Sequence, residues 1–182
     1  MRMTKTVKEY IRRNVYVTID RKEPKFVNLH GYLLDVSPEW TLIYNIVDFH
    51  LDGYSIIRNS YIERIRHNKY DQFFDRILKK EGIKKRGKKK LSINIRDFRL
   101  CLDGLKKQSL NVIVECENKN TDNFHIGFIK KVDDKTISML TYDACGIFDK
   151  DLAIVKLRDV SLVRFGEEYT RIFSKYLMKS QV

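Results

Sequence analysis

The sequence predicts a mainly β chain with flanking helices, an α+β arrangement of two related small barrels, and three observations carry that prediction. Apolar residues alternate with polar ones over short segments, as they do on half-buried strands. The order of those segments, with their turns, recurs in the second half of the chain. Each half then ends on a stretch whose apolar residues change to helical spacing. With 43% apolar residues, ten Tyr and ten Phe, the 182 residues hold ample material for packed cores, and only two prolines and eight glycines interrupt it.

Taken in order, Val7, Tyr10 and Ile11 predict a first helix. Residues 14–19 (Asn-Val-Tyr-Val-Thr-Ile) alternate as a strand and are echoed by residues 111–116. Residues 30–36 are echoed by 125–132, each carrying a glycine, Gly31 or Gly127, early in what reads as a bent strand. Turns follow at Ser37-Pro38-Glu39 and Asp133-Asp134-Lys135. Third strands are expected over 40–47 and 136–142, reversals at Asp52-Gly53 and Cys145-Gly146, and fourth strands over 54–58 and 152–156. Fifth strands follow at 62–66 and 160–164. Closing five short strands on themselves removes exposed edges, which is why a barrel is expected rather than a flat sheet.

The terminal helices carry Tyr70, Phe73, Phe74, Ile77 and Leu78 in one half and Tyr169, Ile172, Phe173, Tyr176 and Leu177 in the other. Both sets form one continuous stripe, expected to be buried against a barrel or a neighbouring unit. Phe98, Cys101, Leu102 and Leu105 predict a helix ahead of the second barrel, capped by Asn94 with Asp97 three residues on. The alternative there is a hairpin, since Phe98, Leu100 and Leu102 alternate and Asp103-Gly104 suits a tight turn. The boundaries that result are 1–82 for the first unit, 83–92 for a basic linker, and 93–182 for the second unit.

A helix followed by five strands, with a glycine early in a bent second strand, resembles the Sm-like small barrel of the bacterial Sm-like RNA chaperones, an SH3-like architecture. In that family the second strand bears a glycine, alternating apolar residues and an aspartate at the turn. Gly127, Phe128, Ile129, Val132 and Asp133 follow that order; Gly31, Leu33 and Val36 follow it with Ser37 in the aspartate's place. Two further patterns, Asp52-Gly53-Tyr54 with Ile56-Ile57-Arg58 and Val163-Arg164-Phe165-Gly166 before a Tyr-bearing helix, are similar to uncharacterised bacterial proteins with two tandem barrels. The resemblance implies a fold and no activity. The family's RNA-contacting asparagine after the turn aspartate and its Arg-Gly pair before the fifth strand are missing, so its uridine recognition is not carried over.

The net charge of +12 is local. Between Lys79 and Lys90 stand eight basic residues and one acid; residues 1–22 hold seven basic and two acidic ones, and these two runs account for the whole excess. The first run (Lys79, Lys80, Lys84, Lys85, Arg86, Lys88, Lys89, Lys90) joins the two units. Read functionally, it and Arg12 and Arg13 of the N-terminal run neutralise phosphates of RNA or DNA with counterion release. Read structurally, it is a soluble, self-repelling linker. An anionic membrane surface is the third reading, and no amphipathic or lipidation signal supports it.

Base stacking needs exposed aromatics beside positive charge. Tyr16, Phe26, Tyr32, Trp40, Tyr44 and Phe49 fall on candidate strands of the first half. Tyr16 and Tyr44 are the candidates, because Val15, Val17, Ile43 and Ile46 beside them can supply the core.

Asp48, His50 and Asp52 alternate as if on one strand face, a residue set able to ligate a divalent cation, but a solvated hairpin explains them and the second half has no counterpart histidine. His30 and His125 precede the two strand glycines and suit a strand bend. Cys101, Cys116 and Cys145 form no Cys-x-x-Cys pair and read as reduced thiols. With no catalytic triad and no glycine-rich nucleotide loop, a non-enzymatic module without cofactor is expected. No apolar run approaches the ~20 residues of a membrane helix, and Arg2, Lys5, Lys8, Arg12 and Arg13 precede no apolar stretch, so a cytoplasmic place is expected. The alternative function is a protein-interaction or homo-oligomer module using sheet edges or the helix stripes.

Overall fold

The computed structural model describes residues 5–22, 27–83, 93–118 and 121–178, and the chain divides into two compact units, Met1–Arg96 and Asp97–Val182. The first holds α1 (Lys5–Arg13), β1 (Tyr16–Arg21), β2 (Leu29–Val36), β3 (Trp40–Val47), β4 (His50–Arg58), a 3-10 turn (Asn59–Tyr61), β5 (Ile62–Arg66) and α2 (Lys69–Lys80). The second holds α3 (Phe98–Lys107), β6 (Asn111–Asn118), β7 (Thr121–Val132), β8 (Thr136–Thr141), β9 (Ala153–Lys156), a 3-10 turn (Leu157–Asp159), β10 (Leu162–Phe165) and α4 (Glu168–Phe173). The chain is thus mainly β with four helices among the described residues. Within each unit the strands are antiparallel and lie in the order fifth, first, second, third, fourth. The fifth strand pairs with the first, and no described ladder joins it to the fourth within its own unit.

Two glycines set the shape of these sheets. Gly31 and Gly127 lie at φ 153° and 154°, a region open to residues without a Cβ. A Cβ on Gly31 would sit well inside 3.0 Å of the Tyr44 carbonyl oxygen, and one on Gly127 equally close to that of Leu140. Register slips follow shortly after each, between Leu33 and Asp35 and between Ile129 and Lys131. A bulge beside a side-chain-free position bends the strand across the core beneath it. That core contains Val17, Ile19, Ile43, Ile56 and Ile57 in the first unit, and Val112, Val114, Ile137, Met139 and Val163 in the second.

Several boundaries differ from those expected. The reversal between β3 and β4 sits at Asp48-Phe49, both at positive φ, and Asp52-Gly53 lies inside β4. The segment from 98 is the helix α3, not the hairpin. Asp97, rather than Asn94, is its cap, accepting from the Leu100 N–H at 3.0 Å, while the Asn94 side chain accepts from Arg96 N. Cys101, Leu102 and Leu105 are buried, and burial pushes the Cys101 thiol up to about 12, so it stays an inert apolar filler. The division between units falls at Arg96–Asp97, later than the expected 92–93, and residues 84–92 of the expected linker lie outside the described residues.

The terminal helices depart furthest from expectation. Helix α4 ends at Phe173, so Tyr176 and Leu177 are not on it. The Asn111 amide donates to Thr170 O and to Ser174 Oγ, and Ser174 Oγ donates to Thr170 O at 2.6 Å. Lys175 and Tyr176 then bond three residues back rather than four, the tightening by which a helix stops. Tyr169, Ile172 and Tyr176 are exposed, so the expected buried stripe does not form there.

Candidate nucleic-acid interface

Helix α2 begins at a reciprocal cap. The Asn68 side chain accepts from Tyr70 N and Asp71 N, and the Asp71 carboxylate accepts from Asn68 N at 2.8 Å. The apolar spacing predicts an inward face of Tyr70, Phe73, Phe74, Ile77 and Leu78. The observed inward face is Asp71, Phe74, Asp75 and Leu78, turned by about one residue. The sheet supplies the reason, because it presents donors. Asp71 accepts from Thr18 Oγ1 at 2.7 Å and from the Arg66 guanidinium at 2.9 Å. Asp75 receives the Tyr32 hydroxyl at 3.3 Å and Tyr16 N at 3.4 Å, with Lys79 Nζ at 2.6 Å. Charged hydrogen bonds contribute about 1.5–3 kcal/mol each, and a buried donor left unpaired costs a similar amount. Two carboxylates with waiting donors therefore outweigh burying two more aromatic rings.

The consequence is a helix face of exposed rings. Tyr70 and Phe73, expected in the core, are 69% and 57% exposed. Lys69 Nζ lies 5.0 Å from the Tyr70 ring centre, and the Arg76 guanidinium 5.4 Å from that of Phe73. Sequence periodicity misses this face because it weighs apolar residues alone; the signal that points to it is the Asp71/Asp75 pair four apart with the Asn68 cap.

Of the expected stacking residues, Tyr16 is corrected. It is 6% exposed and packs with Tyr32, Ile46 and Leu78, so it cannot offer a face to a base. Burial, with the Asp71 charge beside it, pushes its hydroxyl up to about 12; burial and Asp75 push that of Tyr32 further. Tyr44 is half-buried, stacked on Tyr54 at 4.4 Å, and burial and this neighbour raise the Tyr54 hydroxyl to about 12. Tyr44 lines a cleft of about 770 Å³ with Phe49, His50, Leu51 and Ile77. Glu81 and Ile83 complete its wall; Lys79 and Lys80 do not line it, Lys79 being bound to Asp75 and Lys80 exposed on α2. Phe26, Lys84, Lys85, Arg86, Lys88, Lys89 and Lys90 lie outside the described residues.

The N-terminal cations are exposed on α1, where Glu9 holds Arg12 through two bonds of 2.8 and 2.7 Å and reaches Arg13 at 4.0 Å. Asp48 stands in a turn rather than on a strand with His50 and Asp52, and no group of three metal-ligating side chains occurs among the described residues.

In the second unit, folding concentrates charge that the sequence total hides. Lys135, Lys156 and Arg158 meet around a hollow of about 520 Å³, with Asp134, Thr136 and Leu157. Arg99 pairs with Asp134 at 2.8 Å and takes up its charge. The equivalent corner of the first unit is filled. There Trp40 pairs across the ladder with Arg58, as Thr136 does with Lys156, and the Trp40 ring, 2% exposed, lies under Arg58 at 4.5 Å. Threonine in place of tryptophan leaves the second corner open and rimmed by cations.

Burial lowers both strand-bend imidazoles, His30 and His125, below the ordinary 6.5, the Arg66 charge adding to the effect at His30. Below 6.5 the unfolded chain therefore binds protons before the folded one. The stability this contributes is complete above 6.5 and is lost as pH falls from there through the folded values. Thermal melts between about pH 7.5 and 5.5 should show a falling Tm, and His30→Gln with His125→Gln should flatten that slope; a slope unchanged in the double variant refutes the assignment.

Comparison of the chain with protein-family models, with curated proteins and with solved structures finds no match.

Proposed function

We propose that this chain is a cytoplasmic, non-enzymatic module that binds nucleic acid, RNA before DNA, on two tandem Sm-like small barrels. The strand order, the bend at Gly31 and Gly127, and the 3-10 turn before each fifth strand support reading both units as such barrels. The observation that carries the binding reading is the open corner with Lys135, Lys156 and Arg158. It adds a third cationic patch to the two basic runs, and the residues outside those runs sum to zero charge. Asp134 and Asp159 offset part of this charge, through Arg99 and Arg158, and the corner keeps a net positive charge that suits a phosphate.

The test is fluorescence anisotropy with short single-stranded RNA and duplex DNA at low and moderate salt. Affinity should fall steeply with salt, each phosphate neutralised on a single strand adding about 0.7 to the log–log slope. Replacing Lys84, Lys85, Arg86, Lys88, Lys89 and Lys90 by Gln should flatten that slope and weaken binding. Replacing Lys135, Lys156 and Arg158 by Gln should flatten it further. Absence of binding at low salt, or binding indifferent to salt, overturns the reading.

A second reading, a protein-interaction or homo-oligomer surface, is favoured by one observation on the second unit. Phe124 and Tyr169 share a hollow of about 350 Å³, and Ile147 and Met178 are bridged, all four exposed. A discrete oligomer in sedimentation, unaffected by the Lys-to-Gln changes, is its signature.

A further inference from the structure

We infer that the outer face of α2 is a stacking platform for unpaired bases, which makes the ligand single-stranded; this rests on the nucleic-acid reading above. Tyr70 and Phe73 are three residues apart on one helix, so they are surface neighbours about 5–6 Å from each other. Each keeps more than half of its surface in solvent, although large aromatics are ordinarily the first groups a fold buries. Each is also accompanied by a cation, Lys69 at Tyr70 and Arg76 at Phe73, with Lys80 on the same exposed stretch.

Charge selects the occupant. Of the acids on the helix, Asp71 and Asp75 are turned inward and matched by Thr18, Arg66, Tyr32 and Lys79, leaving no carboxylate between Lys69 and Lys80 on the outer face. An apolar protein surface would have to strip water from Lys69, Arg76 and Lys80 without compensation. A strand of nucleotides meets both demands, offering a π-face to each ring and a phosphate to each cation. Duplex ends its bases in the stack and has none to offer to a ring on a convex helix. Tyr70 also forms a wall of a hollow of about 680 Å³ where Arg64 and Arg66 are already held by Asp20, so the cations free to meet a phosphate are those of the helix itself.

The experiment compares wild type, Tyr70→Ala with Phe73→Ala, and Tyr70→Phe, using oligouridylate and a duplex DNA of matched charge. Both rings are exposed, so the double variant should fold, which its circular dichroism and melting temperature check. Removing each ring should weaken oligouridylate binding about tenfold, with the salt slope unchanged and duplex affinity unchanged; Tyr70→Phe should bind as wild type. In a Phe73→Trp variant, the new fluorescence should be quenched on adding oligouridylate. Equal affinity in the double variant, or equal loss on both ligands, overturns the platform while leaving charge-driven binding standing. Failure of the wild type to bind either ligand overturns both. Loss of self-association in the double variant, with oligouridylate affinity intact, assigns the face to a second copy instead and overturns it too.

Discussion

Gly31→Ala is expected to destabilise the first unit by about 3 kcal/mol or more, and Gly127→Ala to do the same to the second. Two effects combine. An alanine at φ 153° or 154° occupies backbone space that side chains rarely adopt. Its Cβ would also press on the carbonyl of Tyr44 or Leu140, atoms held in the β2–β3 and β7–β8 ladders and therefore unable to move aside cheaply. Gly104 is the control: it sits in α3 with nothing within 4 Å of an added Cβ. Gly104→Ala should therefore stabilise the second unit by about 0.5–1 kcal/mol. Urea unfolding followed by circular dichroism measures all three. A Gly31→Ala protein as stable as wild type would show that the bend in β2 is not imposed by the missing side chain.

The second large effect is at Asp71. Asp71→Ala removes the acceptor for Thr18 and Arg66 and half of the α2 cap, and is expected to cost about 3 kcal/mol. That figure sits at the low end for a broken buried pair, because Arg66 keeps 26% of its side chain in water and retains Asp20 at 3.2 Å. Asp71→Asn preserves shape and some hydrogen bonding and should cost less than Asp71→Ala. The same substitutions have a second readout. Helix α2 holds its orientation through Asp71 and Asp75, so loosening the Asp71 tether should lower oligouridylate affinity even where the protein remains folded at the temperature of the assay. An Asp71→Ala protein that is destabilised yet binds unchanged would show that the outer face does not depend on this tether.

Much of the architecture was legible in the amino-acid order, because strand and helix periods differ and turn residues punctuate them. The third strand at 40–47 and the fifth at 62–66 fall where alternation places them, and the glycine-marked bends at Gly31 and Gly127 are real. The Asp48-Phe49 reversal was not legible: two residues without a glycine adopt positive φ there because the ladder on either side holds them, a decision made by the paired strands. The length of α4 was equally hidden, since it is set by Asn111, nearly sixty residues earlier in the chain than the carbonyl it captures.

The candidate interface divides in the same way. Sequence alone determined the two basic runs, since a charge excess over consecutive residues needs no fold to exist. Tertiary structure alone decided which aromatics face water. Tyr16 went inside because β1 presents it to Tyr32 and Leu78, and Tyr70 and Phe73 stayed outside because Asp71 and Asp75 found donors on the sheet. The corner of Lys135, Lys156 and Arg158 likewise exists only in space, where a turn and a strand end meet over a threonine. Periodicity ranks residues by their dislike of water, whereas a buried carboxylate is placed by its partners, and those partners are brought to it only by folding.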